Sequence, residues 1–143
     1  MQVIYHNRSQ LSAELEAECQ ARYVSKQELL QSADHVMLVV PYSAESHHTI
    51  GAAELAQMKP TATLINIARG GIVDEAAVAA ALHQGHLGGA AFDVFEPEPL
   101  LSGTAWQGCP NVILTPHIAG VTAESNVRVS SMIASSVAHA LKA

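Results

Sequence analysis

Short apolar runs alternate with segments of helical character along the whole chain, and few architectures accept that alternation. Residues 34–40 form a buried-strand pattern that Pro41 closes, and residues 61–68 repeat the pattern after a helical segment. Because a helix-like stretch follows most of the strands, consecutive strands should run in the same direction with helices covering the sheet. The sequence therefore predicts an α/β fold with a mainly parallel sheet.

The predicted elements follow from these patterns and from helix-capping residues. Asp74 and Gly85 bracket one helical stretch as N-cap and C′ residue, and Ser25 with Glu28 has the spacing of a capping box. Strands are expected at 2–6, 22–24, 34–40, 61–68, 89–94 and 111–114. Helices are expected at 11–21, 25–31, 51–58, 75–84 and about 122–141.

Composition narrows the class of protein. With 143 residues, 49% of them apolar and 14% charged, the chain can bury the core of one domain. The net charge of −6 opposes binding to nucleic acid, and no apolar run approaches the roughly 20 residues of a membrane span. The two cysteines form no disulfide framework, and the start lacks a signal-peptide pattern. We therefore expect a cytoplasmic protein with no nucleic-acid or membrane partner, and we predict no metal site.

Polar side chains occupy the ends of several predicted strands. Arg69 ends one strand, Asp93 and Glu98 lie at and just past another, and His117 follows the last. Ligands of open parallel sheets bind beyond the carboxyl ends of the strands. Arginine can grip a carboxylate through two hydrogen bonds, and histidine can transfer a proton near neutral pH. These residues therefore predict a reactive site at this edge of the sheet.

Each of these residues also has a plain structural explanation. Arg69 alone would usually be a solvated surface residue, Glu98 would serve solubility, and His117 would be a turn residue. Their shared position past strand ends is what favours a functional role.

Arg8 and Ser9 follow the first predicted strand. At this place in a dinucleotide-binding fold, an acidic residue holds the ribose 2′-hydroxyl, whereas an arginine accommodates a 2′-phosphate. No Asp or Glu occurs before Glu14. The pattern favours NADP over NAD if the fold binds a dinucleotide; otherwise Arg8 belongs to an exposed basic turn.

Three long segments resemble the D-isomer-specific 2-hydroxyacid dehydrogenases, which include glyoxylate/hydroxypyruvate reductases and phosphoglycerate dehydrogenases. The segments occur in the family's order: L-I-N-I-A-R-G-G-I-V-D-E, G-G-A-A-F-D-V-F-E-P-E-P-L and N-V-I-L-T-P-H-I-A-G. Two further stretches also fit the family pattern: V-I-Y-H-N-R-S and V-M-L-V-V-P-Y-S-A-E-S-H-H-T-I. The resemblance therefore covers nearly the whole chain. It implies a Rossmann-like parallel sheet with flanking helices and an NADP- or NAD-dependent oxidoreductase acting on small 2-oxoacids or D-2-hydroxyacids.

The resemblance also implies roles for individual residues. Arg69 would hold the substrate carboxylate and carbonyl, His117 would be the acid–base group, and Glu98, rather than Glu96, would orient His117. Asp93 would contact the nicotinamide carboxamide. The other residues implied in cofactor binding are Arg8 and Ser9 at the 2′-phosphate, Val40 and Pro41 on the adenosine side, and Ile67, Ala68, Arg69, His117, Ala119 and Gly120 on the nicotinamide side.

The chain departs from the family pattern in what it lacks. No G-x-G-x-x-G turn occurs in residues 1–143, and the pattern starts at what should be the family's second strand. We expect residues 1–143 to be an incomplete NAD(P)-binding domain, without the first strand and without the substrate-binding domain, from a longer chain that forms a homodimer. The edge that the missing strand would cover, on 36–40, is expected to be exposed and prone to pairing.

Three functions are compatible with this pattern. The first is the C-terminal part of a 2-hydroxyacid dehydrogenase with little activity as the isolated chain. The second is a non-catalytic binding or regulatory module on the same fold. The third is a defective remnant. Retention of Arg69, Glu98 and His117 together favours the first.

Overall fold

The structure is a computed structural model that describes residues 1–141. These residues form two parallel sheets, one of two strands and one of four in the order β3-β4-β5-β6. The strands are β1 Val3–Tyr5, β2 Ala21–Tyr23, β3 His35–Leu38, β4 Thr63–Asn66, β5 Gly89–Phe92 and β6 Val112–Leu114. Every strand pair is parallel, which confirms the predicted α/β architecture.

Five helices connect or follow the strands of the described chain. They are α1 Ala13–Cys19, α2 Lys26–Ser32, α3 Ala52–Leu55, α4 Glu75–His83 and α5 Ala123–Ala140. The predicted caps form at α4, where the Asp74 carboxylate accepts a hydrogen bond from the Ala77 amide at 3.0 Å and Gly85 takes a positive φ of 69°. Because capping satisfies backbone groups that the helix leaves open, Asp74 fixes where α4 begins.

The core lies on the four-stranded sheet. Leu64 of β4, Phe92 of β5 and Val78 of α4 are fully buried, and Trp106 from the long loop packs on Phe92 with ring centroids 4.7 Å apart. Burying each such side chain is worth about 1.5–3 kcal/mol relative to exposure. This packing holds the carboxyl ends of β4 and β5 at one level.

The two sheets are separate. β1 and β2 pair only with each other in the described chain, and β3 is an outer strand of the larger sheet. Helix α2 joins the two parts, because Leu30 packs into the main core and Lys26 contacts Glu54 at 2.9 Å. The exposed edge that the sequence predicts is present, because one side of β3 pairs with no strand of the described chain, and Met37 of β3 is 53% exposed.

Helix α5 extends along the end of the chain without burying any residue. Its apolar side chains are more than half exposed, including Val127, Met132 and Ile133. Within residues 1–141, none of the helices combines the length and the apolar character that crossing a membrane requires.

Two predicted helices have the wrong extent, and one predicted cap forms only in part. The helix expected at 11–21 ends at Cys19, and Ala21 already belongs to β2, because Gln20 adopts a left-handed conformation that ends the helix. Helix α3 is a single turn rather than 51–58. The Ser25 hydroxyl accepts from the Glu28 amide as a capping box requires, but the Glu28 carboxylate accepts a hydrogen bond from Arg22 instead.

Candidate active site

A cleft with a volume of about 1140 Å³ opens beyond the carboxyl ends of β3, β4 and β5. The cleft combines an apolar wall with charged groups from three separate loops. It is lined by Val39, Val40, Pro41, Tyr42, Ile67, Ala68, Arg69, Gly70, Phe95, Glu96, Pro97, Glu98 and His117. Its position at the strand ends is the one that the sequence predicts for a ligand site.

Glu98 and His117 face each other in this cleft. Oε2 of Glu98 lies 2.9 Å from Nδ1 of His117, and Oε1 of Glu98 accepts a hydrogen bond from the Phe95 amide at 2.9 Å. The hydrogen bond to His117, followed by the one from Phe95, lowers the pKa of Glu98. An ionised Glu98 fixes the imidazole orientation and leaves Nε2 of His117 free to exchange a proton.

Arg69 reaches the same cleft from the loop after β4. Its guanidinium donates a hydrogen bond from Nη1 to the Ala68 carbonyl at 2.7 Å. Buried Asn66 shapes this loop by donating to the Arg69 carbonyl at 3.0 Å and accepting from the Ala68 amide at 3.1 Å. The remaining donors of Arg69 are therefore held where they can bind an anionic group.

Asp93 organises the segment that carries His117. Asp93 as a whole is 4% exposed. Its carboxylate accepts hydrogen bonds from the Thr115 hydroxyl at 2.5 Å and from the amides of Ile118 and Ala119 at 2.9 and 2.8 Å. Desolvation raises the pKa of Asp93, but these hydrogen bonds outweigh it and the net pKa is lowered. Asp93 does not line the cleft; it stabilises the turn beside it as a carboxylate.

The loops after β4 and β5 approach very closely at Gly70. A Cβ atom at Gly70 would lie 1.9 Å from the carbonyl oxygen of Phe95. Only glycine permits this contact, which brings Arg69 and Glu98 to the same cleft.

Glu75 anchors the loop that carries Glu98. At the start of α4, its carboxylate accepts hydrogen bonds from the Glu96 amide at 2.8 Å and from the Trp106 indole at 2.6 Å. Desolvation by burial raises the pKa of Glu75. The two donors hold both ends of the segment 96–106 against the core.

The structure brings most, but not all, of the predicted site residues together. The predicted residues that line the cleft are Val40, Pro41, Ile67, Ala68, Arg69, Glu98 and His117. The predicted residues outside its lining are Arg8, Ser9, Asp93, Ala119 and Gly120. Arg8 instead lies 3.6 Å from Glu45, which belongs to the loop after β3, and its side chain is 86% exposed. Ala119 reaches the site indirectly, through its hydrogen bond to Asp93.

Three residues that shape the site were not singled out from the sequence. Asn66 has a signal, because a polar residue inside an apolar strand run requires partners when it is buried. Gly70 and Glu75 offer none, because their contacts with Phe95, Glu96 and Trp106 join segments distant in the chain.

A parallel α/β domain whose strand-end cleft holds a carboxylate–histidine pair and an arginine has the architecture of a dinucleotide-dependent dehydrogenase domain. The family model described as "D-isomer specific 2-hydroxyacid dehydrogenase, NAD binding domain" matches residues 1–119. The chain therefore belongs to the D-isomer-specific 2-hydroxyacid dehydrogenase family. The matched domain is the family's NAD-binding domain, which confirms the predicted fold and family.

Individual relatives agree with this assignment. The chain is 54% identical over 113 residues to an (S)-sulfolactate dehydrogenase of Chromohalobacter salexigens, covering 79% of this chain and 37% of the relative. It is 42% identical over 134 residues to a glyoxylate reductase of Aeropyrum pernix, covering 94% of this chain and 40% of the relative. The chain thus spans about two fifths of the length of these relatives.

The fold agrees with that of a solved family structure. D-lactate dehydrogenase from Aquifex aeolicus, complexed with NAD and lactic acid, superposes with a TM-score of 0.87 at 32% identity. The superposition covers 99% of this chain and 46% of that one.

Proposed function

We propose that the chain supplies the cofactor-binding and acid–base part of an NADP(H)-dependent reductase of small 2-oxoacids such as glyoxylate or hydroxypyruvate. The observation that carries this proposal is the 2.9 Å contact between Glu98 and His117 in a cleft that Arg69 also lines. The apolar wall of Val39, Val40 and Pro41 suits flat aromatic ring systems. Residues 1–143 contain no G-x-G-x-x-G turn, which is the motif that binds the pyrophosphate of a dinucleotide. The residues present are therefore better suited to the adenosine and nicotinamide ends of the cofactor than to its pyrophosphate.

In the proposed reaction, a bound nicotinamide supplies or accepts the hydride. Arg69 binds the substrate carboxylate through its free guanidinium donors and aligns the carbonyl carbon. His117 donates the proton from Nε2 to the carbonyl oxygen, because its Nδ1 faces Glu98. Glu98 stabilises the imidazolium that precedes this transfer and that forms again in the reverse reaction.

The isolated 143 residues are expected to turn over slowly or not at all, because the phosphate-binding turn and the substrate domain are not among them. The first test is to sequence the gene on both sides of the 143 codons and to express whatever in-frame chain it encodes. That chain should reduce glyoxylate or hydroxypyruvate with NADPH. His117→Ala should lower kcat by about 100-fold or more, the usual contribution of a general acid.

Two outcomes would contradict the proposal. An extended chain that neither binds nor oxidises NADPH, yet captures a stable stoichiometric protein partner, would favour the non-catalytic module. Rapid turnover by the 143 residues alone would refute the expected dependence on further segments. Sulfopyruvate belongs in the same assay, because the relative with 54% identity is named for sulfolactate.

The preference for NADP rests on Arg8. Its side chain is 86% exposed and 3.6 Å from the similarly exposed Glu45, so this weak pairing leaves the guanidinium available to a 2′-phosphate. Arg8→Ala should weaken NADPH binding without weakening NADH binding. Arg22→Ala is a matched control, since Arg22 is paired with Glu28. Equal loss for both cofactors in Arg8→Ala would exclude this role.

We also propose that the complete protein is a cytoplasmic homodimer. Both cysteines are free, as expected of a reducing compartment. The exposed apolar side chains of α5 require cover from another domain or subunit. Light scattering on the extended chain tests the dimer, and a monomer at micromolar concentration would exclude it.

A further inference from the structure

A second group of potential ligand atoms lies at the rim of the cleft. His47 and His48, in the loop after β3, meet Glu96, in the loop after β5. One potential ligand atom from each of the three side chains lies within 4.8 Å of the other two. Glu96 is the carboxylate that the proposed chemistry leaves unused, because Glu98 supports His117.

The backbone holds this group in place. His48 has a positive φ of 47°, and its amide donates a hydrogen bond to the Gly71 carbonyl at 2.8 Å. The imidazole rings of His47 and His48 stack with centroids 4.0 Å apart. The Glu96 amide is fixed by Glu75 at 2.8 Å. Two loops from different strands therefore present their ligand atoms to the same point.

His47 also has an outer partner. The Tyr42 hydroxyl lies 3.3 Å from Nδ1 of His47. When this hydroxyl accepts the Nδ1 proton, Nε2 carries the lone pair that a metal ion needs. Metal-ligating histidines commonly have their second ring nitrogen hydrogen-bonded in this way.

Contrary to the prediction of no metal site from the sequence, we propose that His47, His48 and Glu96 bind a divalent transition-metal ion, with water completing the coordination. Two imidazoles and one carboxylate form a donor set that Zn²⁺ accepts, whereas Ca²⁺ and Mg²⁺ prefer oxygen ligands throughout. The side chains are exposed and can move the short distance to tetrahedral spacing. The bound ion links the loop after β3 to the loop after β5 at the cleft rim, which neither the family assignment nor the proposed reaction provides.

The site is tested by titrating Zn²⁺ into the chain by calorimetry, with no cofactor present. The Cys19→Ser background removes an exposed thiol that would compete for the metal. One ion per chain is expected to bind. His47→Ala and Glu96→Gln should abolish this binding, and so should His48→Asn, because Asn tolerates a positive φ and preserves the loop. Tyr42→Phe should weaken binding by about tenfold or more.

The matched control is the double variant His83→Ala/His86→Ala, which removes two exposed histidines at the C-terminal end of α4, away from the cleft. This variant should bind Zn²⁺ as the parent does. Hydrogen exchange provides a second measurement: Zn²⁺ should slow exchange of the His48 amide in the parent but not in His47→Ala. Unchanged binding in His47→Ala, equal loss in the control, or no binding by a parent that is folded by circular dichroism would overturn the proposal. None of these outcomes depends on dehydrogenase activity.

Discussion

Glu98 and His117, from the loops after β5 and β6, meet with Oε2 of the carboxylate 2.9 Å from Nδ1 of the imidazole. The contact has a defined direction, because the Phe95 amide holds the other carboxylate oxygen at 2.9 Å. Glu98 is therefore anchored on one side by backbone and presents its second oxygen to the histidine. This arrangement assigns Nδ1 to the carboxylate and leaves Nε2 for chemistry in the cleft.

The first prediction concerns the charge of Glu98. Its pKa is lowered mainly by the hydrogen bond from His117, so His117→Ala should raise the pKa of Glu98 toward that of an ordinary glutamate. Carboxyl-carbon NMR titration measures this value directly. Glu14, on α1, should titrate identically in both proteins. An unchanged Glu98 titration in His117→Ala would show that the contact does not form in solution.

The second prediction concerns stability in acid. Because the folded-state pKa of Glu98 is lowered, its stabilising contribution is complete above the unfolded value near 4.3 and is lost as pH falls through the folded value. The free energy of unfolding should therefore fall less steeply below about pH 5 in Glu98→Gln than in the parent. Urea denaturation at several pH values measures both slopes. Parallel pH profiles would contradict the assignment. Some acid sensitivity should remain, since the pKa of Asp93 is also lowered.

The third prediction concerns Asp93→Asn. The asparagine NH2 group would replace one of the two carboxylate oxygens and so face either the Ile118 amide or the Ala119 amide, donor against donor. The hydrogen bond lost in this way should cost about 1–3 kcal/mol of unfolding free energy. Asp34→Asn is a suitable control, because Asp34 forms only an exposed pair with Lys59, and it should leave the denaturation curve nearly unchanged. Equal effects of the two variants would mean that the turn after β6 does not depend on the buried carboxylate.

The fourth prediction concerns Gly70→Ala. The new Cβ would lie 1.9 Å from the Phe95 carbonyl oxygen, and because both partners are backbone, the loops must separate at a cost of about 1–3 kcal/mol or more. Gly120→Ala adds the same atom where nothing lies within 4 Å. Thermal denaturation should separate the two variants clearly. A Gly70→Ala protein as stable as Gly120→Ala would disprove the close approach.

The fifth prediction concerns the outer strand β3. Met37 of β3 and Val39, directly after it, are 53% and 71% exposed, and β3 has one unpaired edge within the described residues. The chain should therefore self-associate as its concentration rises. Met37→Lys/Val39→Lys should reduce light scattering. Gln27→Lys/Gln31→Lys adds equal charge on exposed positions of α2 and should have a weaker effect. Similar improvement in both would show that net charge, rather than the edge, controls association.

Much of the fold was predictable because its strands are short apolar runs between clear helix signals. Asp74 and Gly85 marked the ends of α4, and the strand-end positions of Arg69, Glu98 and His117 placed them at one cleft. The helix predicted at 11–21 was too long, because Gln20 adopts a left-handed conformation that ends the helix. A glycine at this position would have indicated the helix end in the sequence, whereas a glutamine does not. The sequence pattern did not reveal that β1 and β2 form a sheet separate from the other four strands of the described chain.

The sequence by itself determined the periodicity, the caps and the motifs, and therefore the class of fold, the family and the three residues proposed for chemistry. Tertiary structure alone decided how those residues are held. Gly70 touches Phe95, Glu75 binds Trp106 and the Glu96 amide, and His47 and His48 meet Glu96 across two loops. The reason is physical: periodicity and capping act between near neighbours in the chain, whereas these contacts exist only after β4 and β5 lie side by side.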